Sequence, residues 1–211
     1  MTSAARVPAM TSCRQKDIRT LTIKKRANMK RKINLGIMGP AGSGKGFAAR
    51  HIAKKYGYKI INMGNIVRAL ARKEHIKPSR ENLEKLQSKF SKKYGKDFVI
   101  EHAIELAQAS RKPIIIDGIR KPIQAELAKE KLGAKLILVD ATPEIRFERM
   151  KERRRKSGFS KTLEEFNKME ENEDKVFNLK KTFSMADFKI DNSNGERYLF
   201  YQLDRLMAQI R

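Results

Sequence analysis

The chain has 211 residues, of which 40% are hydrophobic and 34% charged, with no tryptophan and a single cysteine, Cys13. That composition suits one α/β domain with a sizeable core plus an appendage, and it excludes a fibrous or disulfide-stapled protein. No apolar run approaches the roughly 20 residues that cross a bilayer, so a cytoplasmic protein without membrane contact is expected; the net charge of +24 attracts phosphates of every kind and chooses among none of them.

Residues 1–32 hold ten Lys or Arg against one acid, Asp17. With no sustained apolar period, residues 1–30 read as a basic disordered leader. It is either a transit-type presequence or an extension upstream of a working start at Met29, since Met29-Lys30-Arg31-Lys32 runs straight into apolar sequence.

Residues 31–211 read as one domain. Short apolar runs at 33–38, Lys59–Asn62, 113–117, Lys135–Asp140 and 187–191 predict five strands, several apolar on both faces as a buried parallel sheet requires. Helical patterns lie between them. Ala49, Ile52, Ala53 and Tyr56 share one face, as do Leu199, Leu203, Leu206, Met207 and Ile210. Alternating β and α predicts a parallel, doubly wound sheet. Residues 63–112 are too long for a simple crossover and look helical, which suggests an inserted substrate-binding unit. Residues 151–162 are short, basic and carry Ser157-Gly158, as a mobile lid would.

Gly39-Pro40-Ala41-Gly42-Ser43-Gly44-Lys45-Gly46 follows the first strand and precedes a helix. Glycines let backbone N–H groups turn inward around nucleotide phosphates, the helix N-terminus adds its dipole, and Lys45 reaches the β- and γ-phosphates. The plain alternative is a Gly-rich connecting turn. Gly46 stands where such loops usually carry a Ser or Thr hydroxyl for Mg²⁺. The metal is then left to nucleotide oxygens, water and a carboxylate, for which Asp117 at the end of an apolar strand is the candidate. His51, His75 and His102 lack metal-ligand spacing and read as structural.

The loop resembles that of the nucleoside monophosphate kinases, and the resemblance runs over residues 33–210. It implies a P-loop NTPase fold of three α/β/α layers, a sheet in the order 2-3-1-4-5, a helical insert that binds the acceptor, and ATP with Mg²⁺. Met63-Gly64-Asn65-Ile66-Val67-Arg68 resembles the segment whose arginine grips the acceptor's phosphate, which implies acceptor roles for Gly64 and Arg68. Asp117-Gly118-Ile119-Arg120 resembles the segment that supplies the metal-side carboxylate and a second phosphate arginine. Arg149 and Arg153 resemble the paired lid arginines. Together with residues 186–192, these segments look most like the archaeal-type predicted nucleotide kinases related to adenylate, cytidylate and dephospho-coenzyme A kinases.

There are departures. Phe47 occupies the place of a threonine that faces the α-phosphate. Asn65 replaces an acid, Ser91 an arginine of the insert, and Glu170-Glu171-Asn172-Glu173-Asp174 a stretch that often holds a lid arginine.

The resemblance thus implies an ATP-dependent phosphotransferase in which Lys45, Arg120, Arg149 and Arg153 are catalytic. Residues 39–46 with Phe47 would bind ATP; Gly64, Arg68 and Arg120 would bind the acceptor. That acceptor is a nucleoside monophosphate or, alternatively, dephospho-coenzyme A. A rival from another class is a nucleic-acid-associated P-loop ATPase, supported by charge and opposed by the low aromatic content of 7%. Weak non-specific nucleic-acid binding and a monomer or homodimer complete the expectations. Plain alternatives also stand: Arg68 with Arg72 and Lys73 on a solvated helix face, and Arg149 within a basic helix end.

Overall fold

The computed structural model describes residues 33–77, 80–95, 97–154 and 162–210, without the side chains of residues 80, 81, 83–85, 87, 88, 153 and 154. The expected leader and most of the expected lid lie outside the described residues, as does the side chain of Arg153.

Five strands, β1 (Leu35–Met38), β2 (Lys59–Asn62), β3 (Ile114–Ile119), β4 (Lys135–Asp140) and β5 (Phe188–Asp191), form one sheet in the order β2-β3-β1-β4-β5. All four pairings are parallel. This is the order that the resemblance implies, and the central strands carry apolar side chains on both faces. Ile114, Ile116, Leu136 and Leu138 enter one core, while Leu35, Ile37, Ile115, Ile137 and Val139 enter the other. The alternation follows from the two-residue period of a strand. Each of these side chains contributes roughly 1.5–3 kcal/mol by leaving water.

The second core is closed by α1 (Lys45–Tyr56) and the final helix, α9 (Glu196–Gln209), through Ala48, Ile52, Leu199 and Leu203. The first core is closed by α2 (Met63–Lys73), α4 (Phe98–Gln108) and α5 (Pro122–Leu132), through Ile66, Val67, Ile100, Ala103 and Ala125. With α3 (Arg80–Tyr94), α2 and α4 occupy the long connection between β2 and β3. After β4 in the chain comes α6 (Pro143–Arg154), so residues 151–154 of the expected lid continue a helix. After residues outside the description comes α7 (Leu163–Phe177), started by a reciprocal cap. Thr162 Oγ1 accepts from Glu165 N–H at 3.2 Å, and Glu165 Oε2 accepts from Thr162 N–H at 3.1 Å. A short α8 (Leu179–Ser184) leads into β5.

Asp204 of α9 ties that helix to α1. Burial pushes its carboxyl up, but hydrogen bonds from Lys55 and Tyr56, each at 2.7 Å, and His51 Nε2 at 3.0 Å outweigh this and hold its pKa at about 2. A depressed carboxyl stabilises the fold fully above its unfolded value and loses that contribution as pH falls through the folded one. Asp204→Asn should therefore cost about 1 kcal/mol near neutrality, after discounting for partial exposure. It should also remove the share of acid destabilisation that falls between about pH 4 and about pH 2. Denaturant melts of both proteins across that range check this; parallel stability curves would contradict it.

Candidate active site

Between β1 and α1 the Gly-rich segment forms a tight loop. Ser43 N–H donates to Pro40 O at 3.4 Å, and the amides of Phe47 and Ala48 donate to Gly44 O at 2.8 and 3.0 Å. Lys45 folds back so that Nζ donates to Pro40 O at 3.0 Å. The loop is also held from outside. Asn192, buried after β5, donates from Nδ2 to Ser43 O at 2.8 Å, and its amide binds Asp140 O at 2.7 Å. Arg149 of α6 donates from Nη2 to Asn192 O at 2.8 Å and from Nη1 toward Gly42 O at 3.5 Å. Partial burial lowers the Arg149 guanidinium from its usual value, yet an arginine keeps its charge under any such shift of ordinary size.

Asp117 lies in β3 and is 7% exposed. The strand runs two residues beyond it, where the sequence suggested an end. Gly118 adopts φ +99 and shifts the register against β1 between Ile37 and Met38, a bulge that a side chain would resist. Oδ2 of Asp117 accepts from Asn62 Nδ2 at 2.7 Å, whereas Oδ1 is buried without a hydrogen-bond partner. A Cβ placed on Gly46 would lie 3.9 Å from Asp117 Oδ2 and 3.7 Å from an Arg50 guanidinium nitrogen. Among the described residues no group of three or more His, Cys, Asp or Glu could hold a metal ion. One orphaned carboxylate oxygen beside a phosphate loop nevertheless fits Mg²⁺, which keeps most of its waters and takes its remaining ligands from nucleotide phosphates.

Arg68 is the acceptor-side arginine named from sequence. Its Nε and Nη2 donate to Asn65 Oδ1 at 3.2 and 2.5 Å, and Nη2 also reaches Asn62 Oδ1 at 3.4 Å. Asn65 therefore orients the guanidinium as a neutral partner, where an acid would have paired with it. Arg120 follows β3. Its amide and that of Lys121 donate to the buried Gln124 Oε1 at 2.9 and 3.2 Å, and its carbonyl accepts from Thr182 at 3.1 Å. Its guanidinium lies over the Phe177 ring at 5.4 Å and 3.9 Å from Glu173. The acidic stretch of α7 thus partners arginines: Glu170 pairs with the buried Arg146 of α6, as Glu173 does more loosely with Arg120.

These groups face one cleft of about 790 Å³, within the size range of small-molecule sites. Gly42, Gly44, Lys45, Gly46 and Phe47 line it together with Asp117, Gly64, Arg68, Arg120 and Arg149. Gly39, Pro40, Ala41 and Ser43 belong to the loop but not to that lining. Phe47 presents a half-open ring stacked on Phe200 at 5.3 Å, beside Arg50. Sequence reasoning missed Arg50, Asn62, Lys121 and Gln124, which also line the cleft, and it missed the clamping role of Asn192. Strand register, rather than spacing along the chain, brings Asn62 opposite Asp117.

A family model described as an AAA domain matches residues 38–180. Among curated proteins, a UPF0200 protein of Hyperthermus butylicus is 32% identical over 176 residues, covering 82% of this chain and 92% of its own length. A UPF0200/UPF0201 protein of Archaeoglobus fulgidus is 30% identical over 173 residues, and this chain spans about half of it, 53%. Among solved structures, shikimate kinase from Acinetobacter baumannii in complex with shikimate superposes with a TM-score of 0.58. That match covers 87% of this chain and 96% of the other at 15% identity, a likeness of fold.

Proposed function

Because the chain belongs to the AAA-domain family and to the UPF0200 proteins within its reach, we propose that it is an ATP-dependent phosphotransferase whose acceptor is a nucleoside monophosphate. The observation that carries this reading is the charge of the cleft. Lys45, Arg50, Arg68, Arg120, Lys121 and Arg149 line it, and Asp117 is the sole carboxylate among its described lining residues. Asp117 is engaged by Asn62 through Oδ2, and its unpartnered Oδ1 is the oxygen assigned to Mg²⁺, which leaves no carboxylate among those residues to act as a base. A hydroxyl acceptor calls for a base that can take its proton; the phosphate oxygen of a monophosphate is already an anion and needs none. The cleft suits the second kind of nucleophile.

In this reading a phosphate oxygen of the acceptor attacks the γ-phosphorus, the bond from that phosphorus to the β–γ bridging oxygen breaks, and ADP leaves with a nucleoside diphosphate as the second product. Arg68 and Arg120 hold the acceptor phosphate with paired N–H donors. The loop amides, Lys45 and Arg149 face the charge that spreads over the transferred group, which is where positioning and electrostatics have most effect. Mg²⁺ bound with the nucleotide and held on the protein side by Asp117 would supply further neutralisation of the β- and γ-oxygens. We assign the insert at 63–112 to the acceptor and the segment at 151–162 to closure over the donor.

A coupled assay over nucleoside monophosphates, dephospho-coenzyme A and shikimate tests the reading. ADP release should depend on a monophosphate and be absent with the two hydroxyl acceptors. Turnover of either hydroxyl acceptor in preference, or of none of the panel, would overturn it.

A further inference from the structure

The geometry points to Asn62 as a positioning residue that couples the two ends of the cleft, setting the acceptor-side Arg68 at a fixed distance from the metal-side Asp117. The inference rests on the kinase reading for the roles of those two residues. It concerns how they are linked, which nothing in the motif pattern indicates.

Asn62 closes β2 and pairs in register with Asp117 on the neighbouring parallel strand. Partners in register put their side chains on the same face of a sheet, so both rise at the same end of the same face. A primary amide has an acceptor at one tip and two donors at the other. Here the oxygen accepts from Asn65 N–H at 2.9 Å and from Arg68 Nη2 at 3.4 Å, and the nitrogen donates to Asp117 Oδ2 at 2.7 Å. A flipped amide would set donors against Asn65 N–H and the guanidinium, and an oxygen against the carboxylate. Only one orientation satisfies all three contacts, and it aligns the amide dipole from carboxylate to guanidinium.

Aspartate and serine, the other good helix caps, each lose part of this arrangement. Aspartate accepts but cannot donate to Asp117, and serine caps α2 but is too short to reach across. Gly64 completes the arrangement. A Cβ there would lie 3.3 Å from both terminal guanidinium nitrogens of Arg68, so its absence lets the guanidinium rest against the turn. A cation at Asp117 and an anion on Arg68 are therefore held at one separation by a shared amide, and each should affect the affinity of the other by the same factor.

Asn62→Ser separates this role from the helix cap, because serine is as good a cap for the Asn65 amide. Inorganic phosphate is titrated calorimetrically into protein saturated with a non-hydrolysable ATP analogue, with Mg²⁺ and again with chelator. In the wild type Mg²⁺ should tighten phosphate binding by roughly tenfold, within the usual range of coupling between sites. In Asn62→Ser that ratio should fall to below about twofold, while the unfolding temperature moves by no more than about 4 °C. Asn65→Ala, which loosens Arg68 without touching Asp117, should weaken phosphate binding yet keep the ratio. An unchanged ratio in Asn62→Ser, an equal loss in Asn65→Ala, or no Mg²⁺ dependence in the wild type would overturn the inference. No turnover is measured, so a failed assay panel would count against the kinase reading and leave this result standing on its own.

Discussion

Lys45→Met should lower kcat for phosphoryl transfer by about 10²–10³-fold, the scale seen when one preorganised donor is removed from developing charge. Lys45 is the first residue of α1, and its ammonium bridges the loop to Pro40 O at 3.0 Å. From there it can swing onto the β- and γ-phosphates as one of six cations among the described residues that line the cleft. Methionine matches the aliphatic stem and is a good helix former. The fold should therefore survive, with an unfolding temperature within a few degrees of the wild type. Steady-state rates at saturating ATP and acceptor, read beside a thermal melt, separate chemistry from stability. A variant that kept more than about a tenth of kcat would remove Lys45 from the reaction, since a donor acting on the transition state contributes at least about 10²-fold.

The sheet was legible because buried parallel strands leave continuous apolar runs. Lys59–Asn62 and Lys135–Asp140 stand where their sequences suggest, and the phosphate loop was legible because its parts lie within eight residues. What escaped was assembled across the chain. Asn62 and Asp117 are 55 residues apart, and Asn192 and Ser43 are 149 apart. Each pair meets through strand order and register, which no local pattern encodes.

The acidic run in α7 shows a second limit. From sequence, Glu170 to Asp174 looked like the loss of an arginine, yet Glu170 and Glu173 are partners of Arg146 and Arg120. Charge partners are chosen by packing, so a residue's role can differ from that of the residue it replaces. Arg68 carries the complementary lesson. Basic neighbours made a solvated face plausible, and the two asparagines that orient it could be recognised only once β2 was seen to run into α2.

The loop glycines should respond to added methyl groups in opposite ways. Gly42 has φ +78, and a Cβ there would sit 2.4 Å from the carbonyl oxygen of Arg146 and 2.9 Å from its Cα. Both obstacles are backbone of α6, itself pinned by Arg146 to Ala141 O at 2.9 Å and to Glu170, so neither side can yield cheaply. Left-handed strain and overpacking each cost about 1–3 kcal/mol. Gly42→Ala should therefore destabilise the fold by about 2–6 kcal/mol and abolish ATP binding, because the loop and Arg149 are displaced together. Gly46 is helical, and its nearest obstacles lie at 3.7 and 3.9 Å, ordinary contact distances. There alanine removes the entropy cost of glycine in a helix and should stabilise by about 0.5–1 kcal/mol. Chemical denaturation of both variants with nucleotide titration decides the matter. If Gly42→Ala bound ATP normally, the close approach of α6 to the loop could not be what shapes the phosphate site; if Gly46→Ala unfolded, the space beside Asp117 would be smaller than its contacts indicate.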